Sequence, residues 1–544
     1  PDLRGLCVSE YLLKESIKSV NKDKDISCSF RDYPCYRHLK QQLFRRFRLI
    51  AENNLTKDEV ERKSAILSEA FAVPADRAIN KMKELSLRCR IFDFLRQTSL
   101  FMTMLENGSI NFKHIKYILV DDFDELSYSA QHFIRHVADD AQEFYIAAAP
   151  EGGARRGYLC ANPQGYEEIK RVKKAQIVRL NHNEEAPATA DDAQKLFVSV
   201  KTGVVDELDT IKLVDNSVRH IEMMEHFFAR LKILLFNEKI PPEEITIVSP
   251  NLNSGTIHRL KDFFRKENID YQIFSGSKRF MDDEFIYGTV ILLQLINKNW
   301  KLPPKTGEIR TLFTGILGFP VVYCEDLFGY YTNKGALKPD ITFELQELNE
   351  KYRKLIALIN EASEQNLPIN KQAEKIFDLL LAERLKQGRA DNLSFENFRE
   401  MMESLESFRK IAAKTANKTN IERDWIVLVK DTVVSDNPAT AEEVKIGCVK
   451  VATPQKVVDL ELSSRFQLWL DVSSPVWFKE DTGPLYNSWV FQKVWTKEEY
   501  TPQLHRELTA EKTACLLRKL ALCAKDKILC FASQLDESNN ENNG

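Results

Sequence analysis

Residues 117–131 read YILVDDFDELSYSAQ and set two adjacent carboxylates, Asp121 and Asp122, directly after an apolar run. Paired acids at a strand's carboxyl end can hold Mg2+ against a nucleotide phosphate. A solvated loop entering a helix, with Asp124 or Ser127 as its cap, is the plainer alternative. A second group with chemical potential lies in GARRGYLCANPQGY, where Arg155, Arg156, Tyr158 and Tyr166 share a glycine-rich loop. Cations of this kind follow phosphates and aromatic rings stack on bases, so the loop is a candidate contact for single-stranded DNA. The segment RDYPCYRHLKQQLFRRFR (31–48) is also basic and aromatic. There basic groups could follow phosphates while Tyr33, Tyr36, Phe44 and Phe47 stack on bases, but the favoured reading makes these rings the core face of an amphipathic helix and the charges solvated.

These residues need a scaffold. Tyr117 to Val120 form the unbroken apolar run of a parallel strand covered on both faces. Further strand candidates follow as FYIAAA, QIVRLN and KLFVSV, separated by the helical pattern SYSAQHFIRHVADD, which suggests a parallel α/β sheet. A second α/β unit opens at EITIVSP (244–250), and strands resume at WIVLVK, KIGCVKVATPQ and FQLWLDVS. Residues 1–110 and 303–420 are helical in pattern; in the latter Leu345, Leu348, Tyr352, Leu355 and Ile359 mark one buried face. The reading is therefore α/β, with two parallel-sheet domains, the first incomplete, each carrying a helical insertion. The boundaries are 1–110 helical, 111–200 the rest of the first sheet domain, 201–302 and 421–533 the second sheet domain, 303–420 its insertion, and 534–544 a disordered polar tail.

Bulk properties fit a multidomain globular protein: 544 residues, 43% hydrophobic, 29% charged, net charge -3. Nothing in that balance signals nucleic acid, so any basic surface is local. The longest apolar region, FIYGTVILLQLI, is too short and interrupted to span a membrane, and no secretory signal opens the chain, which points to the cytoplasm. The ten cysteines include no C-x-x-C and read as buried free thiols rather than a zinc or disulfide framework.

This layout resembles the superfamily 1 DNA helicases of the UvrD/Rep/PcrA type, with RecA-like domains 1A and 2A and helical insertions 1B and 2B. The resemblance implies that Asp121 binds Mg2+, that Asp122 stands at the water-activating acid, and that Gln131 is the downstream glutamine. It further implies an ATP contact for Asn181 and His182 in LNHN and for Glu461 in TPQKVVDLEL, and a DNA contact for the 155–166 loop. The stretch from 244 to 296 keeps the family's order and spacing at Tyr271, Gly276, Phe280 and Glu284. Departures are concentrated in the chemistry: Ala148, Ala149 and Gly152 stand at the γ-phosphate sensor motif, Asn183 at a phosphate-binding arginine, Val458 at a lysine and Cys523 at the arginine finger. No G-x-x-x-x-G-K-[ST] occurs in the chain.

Two expectations follow. In the first, the chain is part of an ATP-dependent DNA helicase whose phosphate loop lies upstream of Pro1, with ATP and Mg2+ as cofactors and single-stranded or junction DNA as substrate. In the second, it is an ATPase-inactive helicase-fold protein that serves as a DNA-binding or assembly scaffold beside a partner subunit. An unrelated α/β protein with a chance acid pair is the third reading, and the 244–296 match argues against it.

Overall fold

A computed structural model describes residues 3–22, 29–34, 36–149, 152–170, 176–178, 186–204, 206–274, 280–365, 367–386, 392–414, 420–431, 444–478 and 481–542. Its strands are β1 (Tyr117–Val120), β2 (Glu143–Ile146), β3 (Ile211–Ser217), β4 (Ile245–Val248), β5 (Tyr271–Phe274), β6 (Val449–Ala452), β7 (Ser464–Trp469), β8 (Thr482–Gly483), β9 (Tyr486–Asn487) and β10 (Ala524–Ser533). β1 and β2 pair in parallel, Val120 opposite Ile146. A six-stranded sheet runs β3-β10-β7-β4-β6-β5, with every pair parallel. β8 and β9 make a small antiparallel ribbon. The fold is α/β with parallel sheets.

The large sheet forms where the sequence is apolar on both strand faces. β4 (ITIV) and β6 (VKVA) are buried at every position. One face packs Ile247, Val451 and Leu468 against Met223, Phe227, Leu260 and Phe264. The other packs Val248, Ala452, Trp469 and Ile528 against Leu516, Leu517 and Leu520 of the helix Pro502–Leu522. Lys450, inside β6, stays buried because its ammonium donates to the carbonyls of Glu243 (2.8 Å) and Ser463 (2.9 Å). Such pairing is what makes an interior lysine tolerable.

By internal contacts the chain divides into two compact units: Pro1–Lys18, Lys81–Asp93 and Ser277–Ala439 form one, and Ser19–Asn80, Phe94–Gly276 and Thr440–Gly544 the other. The first unit is helical. Its central helix, Glu284–Ile296, is buried on all sides and packs against Phe313, Leu380, Leu405 and Trp425. The division cuts across the expected boundaries, since the helical unit begins at 277 rather than 303 and also takes pieces of 1–110. The reason is that FIYGTVILLQLI is apolar around its whole circumference and so must sit at the centre of a helical core, not on one face of a sheet.

Three other expectations are corrected. KLFVSV lies in the helix Ala190–Thr202, where Ala193 and Phe197 face the core and Gly203 ends the helix in left-handed geometry. WIVLVK lies in the helix Ile421–Asp431, with Trp425, Ile426, Leu428 and Val429 all buried in the helical unit. Both runs are β-branched and apolar, a composition that cannot separate a buried strand from a buried helix. The tail, expected to be disordered, folds back through residue 542: Gln534 donates to the Ser217 carbonyl (2.9 Å), and Leu535 bridges Glu541. QIVRLN lies partly outside the described residues. No described helix is long and apolar enough to cross a membrane.

Candidate functional site

The acid pair sits where the sequence puts it, at the carboxyl end of β1. Asp122 adopts a left-handed backbone (φ 48°), which turns the chain into a short 3-10 segment, Phe123–Glu125. That turn drives Phe123, Asp124 and Glu125 inward, to 1%, 0% and 2% exposure. Asp121 remains exposed, and its Oδ1 accepts the Asp122 N–H at 2.8 Å.

Around the buried acids the chain has built a cation cage. Glu125 accepts three successive backbone N–H groups, from Gly153 (3.1 Å), Ala154 (3.0 Å) and Arg155 (2.8 Å), and its Oε1 also meets Lys519 Nζ at 2.8 Å. Consecutive amides with a lysine are the elements of an anion nest, and here the anion is the protein's own carboxylate. Lys519 Nζ lies 3.6 Å from Asp122 Oδ1 and 4.0 Å from Asp124 Oδ2. Arg155 completes the arrangement: its NH1 donates to Asp122 Oδ2 (3.4 Å) and its Nε to Asp459 Oδ1 (2.9 Å), an oxygen that also accepts the Tyr158 hydroxyl. Asp124 accepts the Ala149 N–H at 2.7 Å through Oδ1, while its buried Oδ2 has no hydrogen bond. A Cβ on Gly152 would fall 1.6 Å from that Oδ2, so only glycine fits there.

The titration shifts follow from this packing. Burial pushes Glu125 up, but Lys519 and the loop amides outweigh it and hold the carboxyl below its usual range. Asp124 goes the other way: burial raises it, and the Ala149 amide and Lys519 offset this only in part. Lys519 is lowered by burial and raised further by Glu125, Asp122 and Asp124, so it keeps its proton. Burial lowers Arg156, which stacks 4.8 Å over the Trp489 ring.

The expected site residues divide accordingly. Asp122, Arg155 and Tyr158 come together in the cage. Arg155 and Tyr158 are half-buried and engaged with carboxylates, and Arg156 with an indole, so these three do not form an open phosphate track. Tyr166 stands apart beneath Lys170 Nζ, 4.2 Å from its ring. Gln131 is buried and donates to the carbonyls of Phe123 and Asn162, both at 2.7 Å, while Asn162 donates back to its Oε1 (2.8 Å). It ties the loop to the strand end rather than facing a ligand. Glu461 is exposed and left-handed (φ 48°), outside the cage. Asn181 and His182 lie outside the described residues. In the 31–48 segment Tyr33 and Phe47 are core, as read, but the charges are not all solvated: Arg46 is fully buried on Glu69 (2.6 Å) and Asp76 (2.9 Å).

Sequence reasoning missed Lys519, Glu125 and Asp459. Lys519 lies one helical turn before Cys523, where the resemblance asks for an arginine. That thiol is half-buried, pushed up to about 11 by burial and by Glu461, and donates to the Lys519 carbonyl (3.4 Å).

Asp122 and Glu125 are not free to serve an ATP-Mg2+ site, whereas Asp121, the Mg2+ acid of the resemblance, stays exposed outside the cage. Asp122 already faces Arg155 and Lys519 with both oxygens, the loop amides already hold Glu125, and among the described residues no three His, Cys, Asp or Glu side chains converge to hold a metal. The sequence matches no protein-family model, and no curated protein is similar to it.

Proposed function

We propose that the chain is an ATPase-inactive protein of UvrD/Rep helicase type, with RecA-like sheet domains, acting in the cytoplasm as a DNA-binding or assembly scaffold in repair or recombination. The observation that carries this reading is the cage: Asp122, which stands at the water-activating acid, is engaged by the chain's own Arg155 and Lys519. The sheet order supports it too, because the helical unit interrupts the large sheet between β5 and β6.

DNA contact then belongs to cations that are free. The helix Ser254–Glu267 exposes Arg259, Lys261 and Lys266, none of which forms an ion pair with a described residue. Single-stranded DNA bound there should dissociate steeply with salt, because each phosphate contact releases counterions.

The test is ATP turnover with and without single-stranded DNA, run beside a salt titration of DNA binding by fluorescence anisotropy. The reading expects no DNA-stimulated turnover and a salt-sensitive complex. Turnover that vanishes in Asp121→Asn would refute it and restore the motor.

A further inference from the structure

The helical unit holds a cleft that the proposed function leaves unused. It encloses about 310 Å³ between the helix Glu284–Ile296, the turn at 302–304, the segment 335–339 and the helix Gln346–Glu364. That volume lies within the range of small-molecule sites, roughly 300–1,000 Å³. Its walls are mainly apolar, with Leu295, Leu302, Pro304, Leu337, Ile356 and Ile359 contributing.

The polar groups lining it sort into two kinds. Gln294 and Tyr331 are spent on the wall: the Gln294 amide donates to the Leu302 carbonyl (2.8 Å) and accepts from Lys430 (3.1 Å), and the Tyr331 hydroxyl donates to the Pro304 carbonyl (2.8 Å). Lys298 and Asn360 also line the cleft, and their side chains make no hydrogen bond or ion pair with any described residue. Glu361, beside Asn360, is turned to Lys375 at 2.6 Å, and no carboxylate lines the cleft.

We propose that this cleft binds a small organic carboxylate, its apolar body against the leucine, isoleucine and proline wall and its head on Lys298 with Asn360 as second donor. A cation would meet Lys298 with nothing to offset the repulsion. A neutral hydrocarbon would use the wall alone and leave the ammonium to water, whereas a carboxylate adds a charge-assisted hydrogen bond.

The experiment is isothermal titration of the full chain with sodium decanoate, with decanol and decyltrimethylammonium as matched probes. Saturable decanoate binding is expected, weakened roughly tenfold by Lys298→Glu, and abolished by Ala336→Phe, which fills the cleft. Decanol should bind more weakly and the ammonium not at all. Lys298 is exposed, so its variant folds and keeps the test decisive even if Ala336→Phe proves unstable. No saturable binding to the wild-type chain, equal affinity in Lys298→Glu, or decanol binding as tightly as decanoate would each overturn the proposal.

Discussion

The two parallel sheets use similar apolar runs to opposite ends. In the six-stranded sheet β4 and β6 are buried throughout, and stability comes from side chains on both faces. In the two-stranded sheet one face, Ile118, Val120, Phe144 and Ile146, is partly covered, with Val120, Phe144 and Ile146 packing toward Phe123 and Ile169. The other is bare: Tyr117 is 66%, Leu119 80% and Tyr145 63% exposed. Parallel strands are rarely left open on a face. An apolar run therefore reports how a strand is built, not how deeply it is buried.

That contrast can be pressed by mutation. The largest effect is expected from Ile247→Ala in β4, a loss of roughly 2–5 kcal/mol in urea unfolding, whereas Leu119→Ala in β1 should stay within about 0.5 kcal/mol; equal losses would erase the distinction between the sheets. Lys519→Ala should cost about 2–4 kcal/mol by stranding Glu125 as a buried charge, and the double variant Lys519→Ala with Glu125→Gln should recover part of it. Gly152→Ala should cost about 1–3 kcal/mol, since its methyl collides with Asp124. Reversing Arg259, Lys261 and Lys266 to Glu should leave stability nearly unchanged while lowering the slope of DNA affinity against salt; an unaltered slope would move the contact elsewhere.

A separate effect is a pH dependence, and it lies outside both sheets. Lys63 is buried, donating to the carbonyls of Val490 (2.9 Å) and Gln492 (2.8 Å), and burial lowers it from 10.5 to about 8. Between those values the unfolded chain binds a proton that the folded one has released, so Lys63 adds stability as pH rises through that window, and its charged form costs stability below it. Denaturant midpoints of wild type and Lys63→Met should diverge across that range, the wild type gaining.

How much was legible in the sequence follows the same division. Strands of the large sheet were readable at ITIV and QLW, where burial on both faces leaves an apolar run. The acid pair was readable from its place after YILV. The engagement of Asp122 by cations was not, because Lys519 and Asp459 approach from hundreds of residues away and neither stands at a motif position that asks for its charge. KLFVSV and WIVLVK were misread as strands because their β-branched, apolar composition suits a buried helix equally.

The strand order bears on when this protein can fold. β3 (Ile211–Ser217) pairs with β10 (Ala524–Ser533), and β4 (Ile245–Val248) lies between β6 and β7. A ribosome must therefore deliver all of residues 218–523 before β3 meets β10, and β4 and β5 wait with open apolar edges until β6 and β7 emerge. Contacts this distant in sequence make for slow closure and a long-lived, association-prone nascent state. Loss of β10 should yield aggregate rather than a smaller folded unit.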